Sequence, residues 1–412
     1  MLKGKEMARR RDRAIACFLV LAVLATFCSG CTSKTEAEST IRIGYITDVT
    51  GPGAPVLIHF TLLLEDLVNY YNDEDLIPGA KIKVITCDTK ADASRYIPAY
   101  DLVRERGAQV IVVCLPDAAE MLEPFAERDK IPLAVMPSTE TLVDPPGWAF
   151  CFSYPPAYAM KSLLKWISEQ LGDYSKEPRK IGLVSWNESY SVDVEKGVRE
   201  YCQAHPDQFQ YVAGLLSPMG VMTWSGEVRK VENCDYVVIP NVPTAMGTFV
   251  REFRARNKDA VLIGTDAVAA AQDSLVKMCG WKAVDGALVT SFTPLWTEQY
   301  SLVTQAREIL YRYRTAIADE IISSGLGYLG GFHSVYTFFE LMRQVVGEVG
   351  IQNFDGQAFY NKAVNFTITW EGYPEWGFTP TTRYAVKHTA IYKFMAVLQS
   401  LVRVSGWLPV TE

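Results

Sequence analysis

The chain has 412 residues, 49% hydrophobic and 21% charged, with a net charge of −7. That balance describes a well-packed globular protein rather than a disordered one, and its acidity argues against nucleic acid as a partner. With the first 30 residues set aside, about 380 remain, more than one ordinary core holds, so two domains are expected.

The N-terminus is basic (Lys3, Lys5, Arg9, Arg10, Arg11, Arg13) and runs into an apolar stretch over residues 14–27. A bilayer span needs about 20 apolar residues, so this run reads as an export signal followed by small residues at a cleavage site. The pair Ser29-Gly30 before Cys31 resembles the lipobox of bacterial lipoproteins, in which the cysteine is acylated and becomes the new N-terminus; Cys28 stands where an aliphatic residue is usual. Lipoprotein, plain secretion and an uncleaved anchor all place the folded part outside the cytoplasm. The rest of the chain carries a net charge near −11 once the basic leader is removed, so an anionic lipid surface would not hold it and acyl chains would have to. The expected outcome is a lipid-anchored, extracytoplasmic protein with a signal over residues 1–30 and a tether over 31–40.

Strands and helices then alternate. Residues 41–46 read as a strand, and the apolar positions Phe60, Leu64, Leu67, Val68 and Tyr71 recur at helical spacing. The strand 81–86, a helix over 94–106, the continuous apolar strand 109–115, a helix over 118–128 containing Pro124, and the strand 132–136 complete a β-α-β-α-β-α-β lobe. The turn-rich segment 144–156 precedes a second such series: helix 159–171, strand 180–185, helix 192–204, strands 211–215 and 236–239, helix 245–256 and strand 260–264. Residues 300–323 and 330–349 read as helices, and 384–394 as a strand. Six widely scattered cysteines beyond Cys31, without a CxxC pair, match neither a zinc site nor a dense disulfide scaffold.

Catalytic signatures are missing. The sequence has no GxxxxGK[ST], HExxH or GxSxG motif. The single GxGxxG match, Gly325 to Gly330, follows a helix-like segment instead of a strand and reads as a helix–helix turn. Four histidines without a second ligand pair give no basis for metal or Ser-His chemistry. No cofactor or metal is expected, and a binder is favoured over an enzyme.

The strand 41–46 is followed by Asp48-Val49-Thr50-Gly51-Pro52. Further on come Cys87-Asp88-Thr89-Lys90-Ala91-Asp92, Met136-Pro137-Ser138-Thr139, Tyr190, Gly264-Thr265-Asp266 and Asp285-Gly286-Ala287-Leu288-Val289-Thr290. In this order the chain resembles the type I periplasmic binding proteins of the leucine/isoleucine/valine-binding family, which serve ABC importers. The resemblance implies two doubly wound Rossmann-like α/β lobes joined by a three-strand hinge. It divides the chain into 41–157 with 292–365 and 158–291 with 366–412, with the ligand between the lobes.

It further implies that Ser138 and Thr139 hold a ligand carboxylate, that Asp266 meets an amino group, and that Tyr190 and Trp186 wall the pocket. Each has a plainer alternative: a turn or cap for Ser138, Thr139 and Asp266, and packing for the aromatics. Asp117 departs from the family, which usually has a small polar residue there. It reads either as a helix cap with Glu120 behind it or as a cleft carboxylate that would repel an amino-acid carboxylate. Glu140, where the family tends to have threonine, points the same way, toward an amide, a cation or a neutral polar molecule. The expectation is a monomeric solute-binding lipoprotein that delivers an amino acid, an amide or a related compound to an ABC permease. A ligand sensor with the same fold and an extracytoplasmic α/β enzyme are the alternatives.

Overall fold

The computed structural model describes residues 39–172, 177–240 and 243–412. The signal segment, Cys31 and most of the tether lie outside the described residues. The first lobe contains β1 (Ser39–Thr47), α1 (Ala54–Asp73), β2 (Ala80–Asp88), α2 (Tyr96–Glu105) and β3 (Val110–Val113). It continues through α3 (Pro116–Asp129), β4 (Leu133–Val135), the one-turn α4 (Glu140–Val143) and β5 (Ala149–Cys151). All strand pairs are parallel, in the order β2-β1-β3-β4-β5. The run Val110-Ile111-Val112-Val113 is buried at every position, because helices cover both faces of the sheet. Pro124 sits inside α3 without ending it.

The second lobe follows with α5 (Pro156–Gln170), β6 (Arg179–Trp186), α6 (Ser189–Ala204), β7 (Phe209–Ser217), α7 (Ser225–Val231) and β8 (Tyr236–Val238). Next come α8 (Pro243–Arg254), β9 (Val261–Gly264), the short helices α9 (Asp266–Ala270), α10 (Gln272–Cys279) and α11 (Trp281–Val284), and β10 (Leu288–Ser291). The helices α12 (Ser301–Arg314), α13 (Ala318–Ser324), α14 (Gly327–Val349) and α15 (Gly356–Ala363) come after it. The chain ends with the ribbon β11 (Thr367–Ile368) and β12 (Trp376–Gly377), then β13 (His388–Met395), β14 (Ser400–Arg403) and β15 (Leu408–Pro409). The second sheet runs β7-β6-β8-β9-β10 in parallel and is extended by antiparallel β13 and β14. Each parallel set therefore reverses its strand order beside its first strand, at β1/β3 and at β6/β8.

Helices α12 and α14 return to pack on α1 of the first lobe. The fully buried Asp66 on α1 accepts from Arg314 Nε at 2.7 Å and Tyr328 Oη at 3.0 Å, while Tyr71 Oη donates to Glu340 at 2.6 Å. A side chain at Gly331 would put its Cβ 2.9 Å from Leu63 Cδ2 and 3.2 Å from Phe60 Cδ2, so glycine sets the closeness of α14 to α1. Gly331→Val is expected to cost about 1–3 kcal/mol of unfolding free energy through overpacking, read as a lower urea midpoint.

The chain passes between the lobes after β5, after β10 and ahead of β13. The first and third crossovers lie side by side, with Ala385 N donating to Cys151 O at 2.8 Å and Val386 N to Ser153 O at 3.1 Å. Tyr154, Phe292 and Trp376 stack edge to face between them. Residues 384–386 are taken up in this pairing, so the strand expected from residue 384 begins at His388. The helix expected over 300–323 divides into α12 and α13 at a turn in which Ile317 N bonds Arg314 O, just where Arg314 reaches across to Asp66. The turn-rich segment 144–156 contains β5, three residues long and invisible to periodicity. All six described cysteines are free, Cys114 buried in the first-lobe core.

Candidate functional site

In open parallel sheets, ligands bind beyond the carboxyl ends of the strands where the strand order reverses. A cleft of about 210 Å³ lies at that place in both lobes at once, far above the ~10–15 Å³ one water needs. Its first-lobe wall comes from segments that follow β1, β3 and β4: Pro52 and Gly53, then Leu115 to Asp117, then Met136 and Pro137. The second-lobe wall follows β6 and β9: Trp186, Glu188 and Tyr190, then Asp266. Ser153, Phe292 and Thr293 from the crossovers, with Leu57 and Phe60 of α1 and the first turns of α14, close the rest.

Of the residues singled out in the sequence, Asp117, Trp186, Tyr190 and Asp266 line this cleft, whereas Ser138 and Thr139 are buried beside it and are not part of its wall. The Ser138 hydroxyl donates to the Thr139 carbonyl at 3.1 Å, and the Thr139 hydroxyl to Glu120 at 2.6 Å. Tyr190 Oη lies 2.9 Å from Asp266 Oδ1 and 2.8 Å from Thr265 Oγ1, and Thr265 caps α9. Burial pushes the Asp266 carboxyl up to about 6, against the hydrogen bond from Tyr190 that favours its ionised form. The Trp186 indole donates to Val221 O at 2.8 Å, which fixes the ring as a wall.

Asp117 stands in the first turn of α3, which starts after Leu115. Its carboxylate reaches the other lobe, accepting from Ser189 N at 2.9 Å and Ser189 Oγ at 2.6 Å, and Glu120 accepts from the same hydroxyl at 2.7 Å. Glu140 continues this rim through Lys196 at 2.7 Å. Asp193 on α6 accepts from Glu140 N and from Ala157 N, each at 2.9 Å. The lobes thus touch along one polar edge of the cleft.

Sequence reasoning did not assign Glu188, Met136, Met219, Phe60, Phe292 or Thr293 to the site, and all six line the cleft. Glu188 carries a readable signal, a carboxylate opening a helix two residues past a strand end: it caps α6 by accepting from Tyr190 N at 2.8 Å and Ser191 N at 2.9 Å. Phe60 carries none, since a cleft-facing helical phenylalanine looks like a core residue. Among the described residues no cluster of three or more His, Cys, Asp or Glu could hold a metal ion, and no helix is long and apolar enough to cross a membrane.

Comparison with curated proteins by sequence gives no match, whereas structural comparison gives several over nearly the full length. A branched-chain amino acid ABC transporter protein from Thermus thermophilus, with bound valine, superimposes with a TM-score of 0.79 at 16% identity, covering 90% of this chain and 97% of the other. A fatty acid ABC transporter substrate-binding protein from Thermomonospora curvata gives 0.77 at 15% identity, covering 90% and 92%. A solute-binding protein from R. palustris in complex with 4-hydroxybenzoate gives 0.73 at 13%, covering 91% and 97%. At these identities the likeness establishes the fold. The sequence profile of the periplasmic binding protein family matches residues 40–400. The chain therefore belongs to the periplasmic binding protein family: it is a solute-binding protein with the two-lobed type I fold, working outside the cytoplasm, and not an enzyme.

Proposed function

We propose that this protein captures a small molecule with a polar head and an apolar body in the interlobe cleft and hands it to an ABC import permease, while acyl chains on Cys31 keep it at the membrane. The observation that carries the reading is a single cleft walled by both lobes at the carboxyl ends of both parallel sheets. Asp266 and Tyr190 offer the polar contact; Trp186, Phe292 and Phe60 offer the apolar one. Ligand contacts made by both lobes at once stabilise the closed arrangement over the open one, and that differential affinity is all closure requires. Similar solved proteins with valine and with 4-hydroxybenzoate support a cleft whose chemistry varies on a constant frame.

The test is mass spectrometry of small molecules released from the purified protein, followed by thermal shift with the compounds identified and with a broad panel of amino acids, amides and organic acids. A rise in the unfolding midpoint with at least one of them is expected, and no shift from any would sink the reading. Anchoring is tested apart: Cys31→Ser is expected to move the protein from the membrane to the soluble fraction, and unchanged membrane association would point to an uncleaved anchor.

A further inference from the structure

If the cleft is a solute site, its polar groups also say what charge the solute carries. A bound carboxylate needs N–H or O–H donors at the strand ends, and in this chain several of the first-lobe donors are absent or already taken, which leaves the hydroxyls of Ser153, Thr293 and Ser334 in the cleft wall. Pro52, Pro116 and Pro137 line the first-lobe wall and have no N–H to give. The N–H groups of Gly51 and Gly53 donate inward to Asp48 at 2.5 and 2.7 Å. The Ser138 and Thr139 hydroxyls point to the Thr139 carbonyl and to Glu120.

Across the cleft, Glu188 accepts the first N–H groups of α6, and Asp266 stands in the first turn of α9 as Asp117 does in that of α3. Each of these helix starts, which would otherwise attract an anion, carries a carboxylate of its own. The starts of α1 and α14 are exceptions, with no acid in either first turn, so anions belong in the test.

The remaining balance is one-sided. Asp117, Glu188 and Asp266 line the cleft, and no lysine or arginine does among the described residues. Asp117 and Glu188 are engaged by Ser189 and by the α6 backbone, which leaves Asp266, held by Tyr190, as the carboxylate best placed to meet a ligand charge. The same cleft is lined by the aromatic rings of Phe60, Trp186, Tyr190 and Phe292, whose π-faces attract a desolvated cation. An anion in the same place would meet three like charges with no counter-ion.

We propose that the cleft takes an organic cation with an apolar or aromatic body and no carboxylate, its ammonium group set against Asp266. A carboxylate whose charged form is penalised by burial gains most from such a partner, because the incoming positive charge favours that ionised form.

Matched triplets test this on the purified full-length protein by calorimetry and thermal shift. One is isoamylamine, leucine and 4-methylpentanoate; the other is phenethylamine, phenylalanine and 3-phenylpropionate. Within each triplet the body is constant and only the charged groups change. The amine is expected to bind at least about tenfold more tightly than its amino acid and its acid, and Asp266→Asn is expected to remove at least about tenfold of the amine affinity while the circular dichroism stays unchanged. Equal or tighter binding of an amino acid or acid overturns the cation assignment and leaves the solute-binding reading standing. A retained native molecule that bears a carboxylate does the same. Absence of binding across both triplets, the broad panel and any retained molecule overturns both.

Discussion

Asp266→Asn is expected to weaken the protein's ligand by about 2–5 kcal/mol, the usual consequence of removing one partner of a buried charged contact, and at the same time to stabilise the empty protein. The two effects share one cause. Burial holds the Asp266 carboxyl up to about 6, from an ordinary value of 3.8. Between those two values the folded state binds more protons than the unfolded one, so stability falls as pH rises through the window. The penalty is absent below about pH 4 and complete above about pH 6, where it amounts to no more than ~3 kcal/mol.

Asparagine keeps the shape and an acceptor for Tyr190 but does not titrate. The variant should therefore match the wild type in unfolding free energy near pH 4 and exceed it near pH 7, while its ligand-induced shift disappears at both. Denaturation curves at the two pH values, with and without ligand, check this. Unchanged affinity would remove Asp266 from the site, and a variant less stable than wild type at pH 7 would remove the account of its burial. A cleft residue that destabilises its own fold is expected if binding, not stability, has been selected there.

Trp376→Ala is expected to cost about 3–5 kcal/mol in unfolding free energy. Trp376 is fully buried where the crossovers meet, with ring centroids 5.8 Å from Phe292 and 6.0 Å from His388. Its indole N–H has no acceptor, so Trp376→Phe removes an unsatisfied donor together with part of the ring, and its loss should be about half that of alanine or less. Urea titration of the two variants separates them. A loss under ~1 kcal/mol for Trp376→Ala would mean that the crossovers draw their stability from elsewhere.

Much of this was legible in the chain. The alternation of apolar runs gave both α/β lobes, because a strand buried on both faces and a helix with one apolar face leave different periodicities. The strand-end residues Asp117, Trp186, Tyr190 and Asp266 reach the cleft, since a parallel sheet sends its strand ends to one side whatever the details. Ser138 and Thr139 also sit at a strand end, yet their hydroxyls turn away. The Ser138 hydroxyl turns to the Thr139 carbonyl, and that of Thr139 is directed by Glu120, 19 residues earlier on α3, which no local pattern encodes. The contributions of Phe60, Leu326 and Gly331 to the cleft depend on α14 folding back onto α1, a pairing held by Tyr328 with Asp66 and Tyr71 with Glu340, 262 and 269 residues apart.

The polar rim has a kinetic consequence. Its contacts, Asp117 and Glu120 with Ser189 and Glu140 with Lys196, lie at the lip of the cleft, and the Lys196 side chain is 37% exposed. Half-wet pairs of this kind contribute about 0–1 kcal/mol each and weaken with salt. Together the three contacts favour the shut form by up to ~3 kcal/mol, on the order of a hundredfold in the ratio of shut to gaping molecules, which lengthens the dwell of a loaded trap. The escape rate of the cargo is then adjustable at Lys196 or Ser189 without altering which cargo is chosen. Ionic strength should act on residence time more than on selectivity.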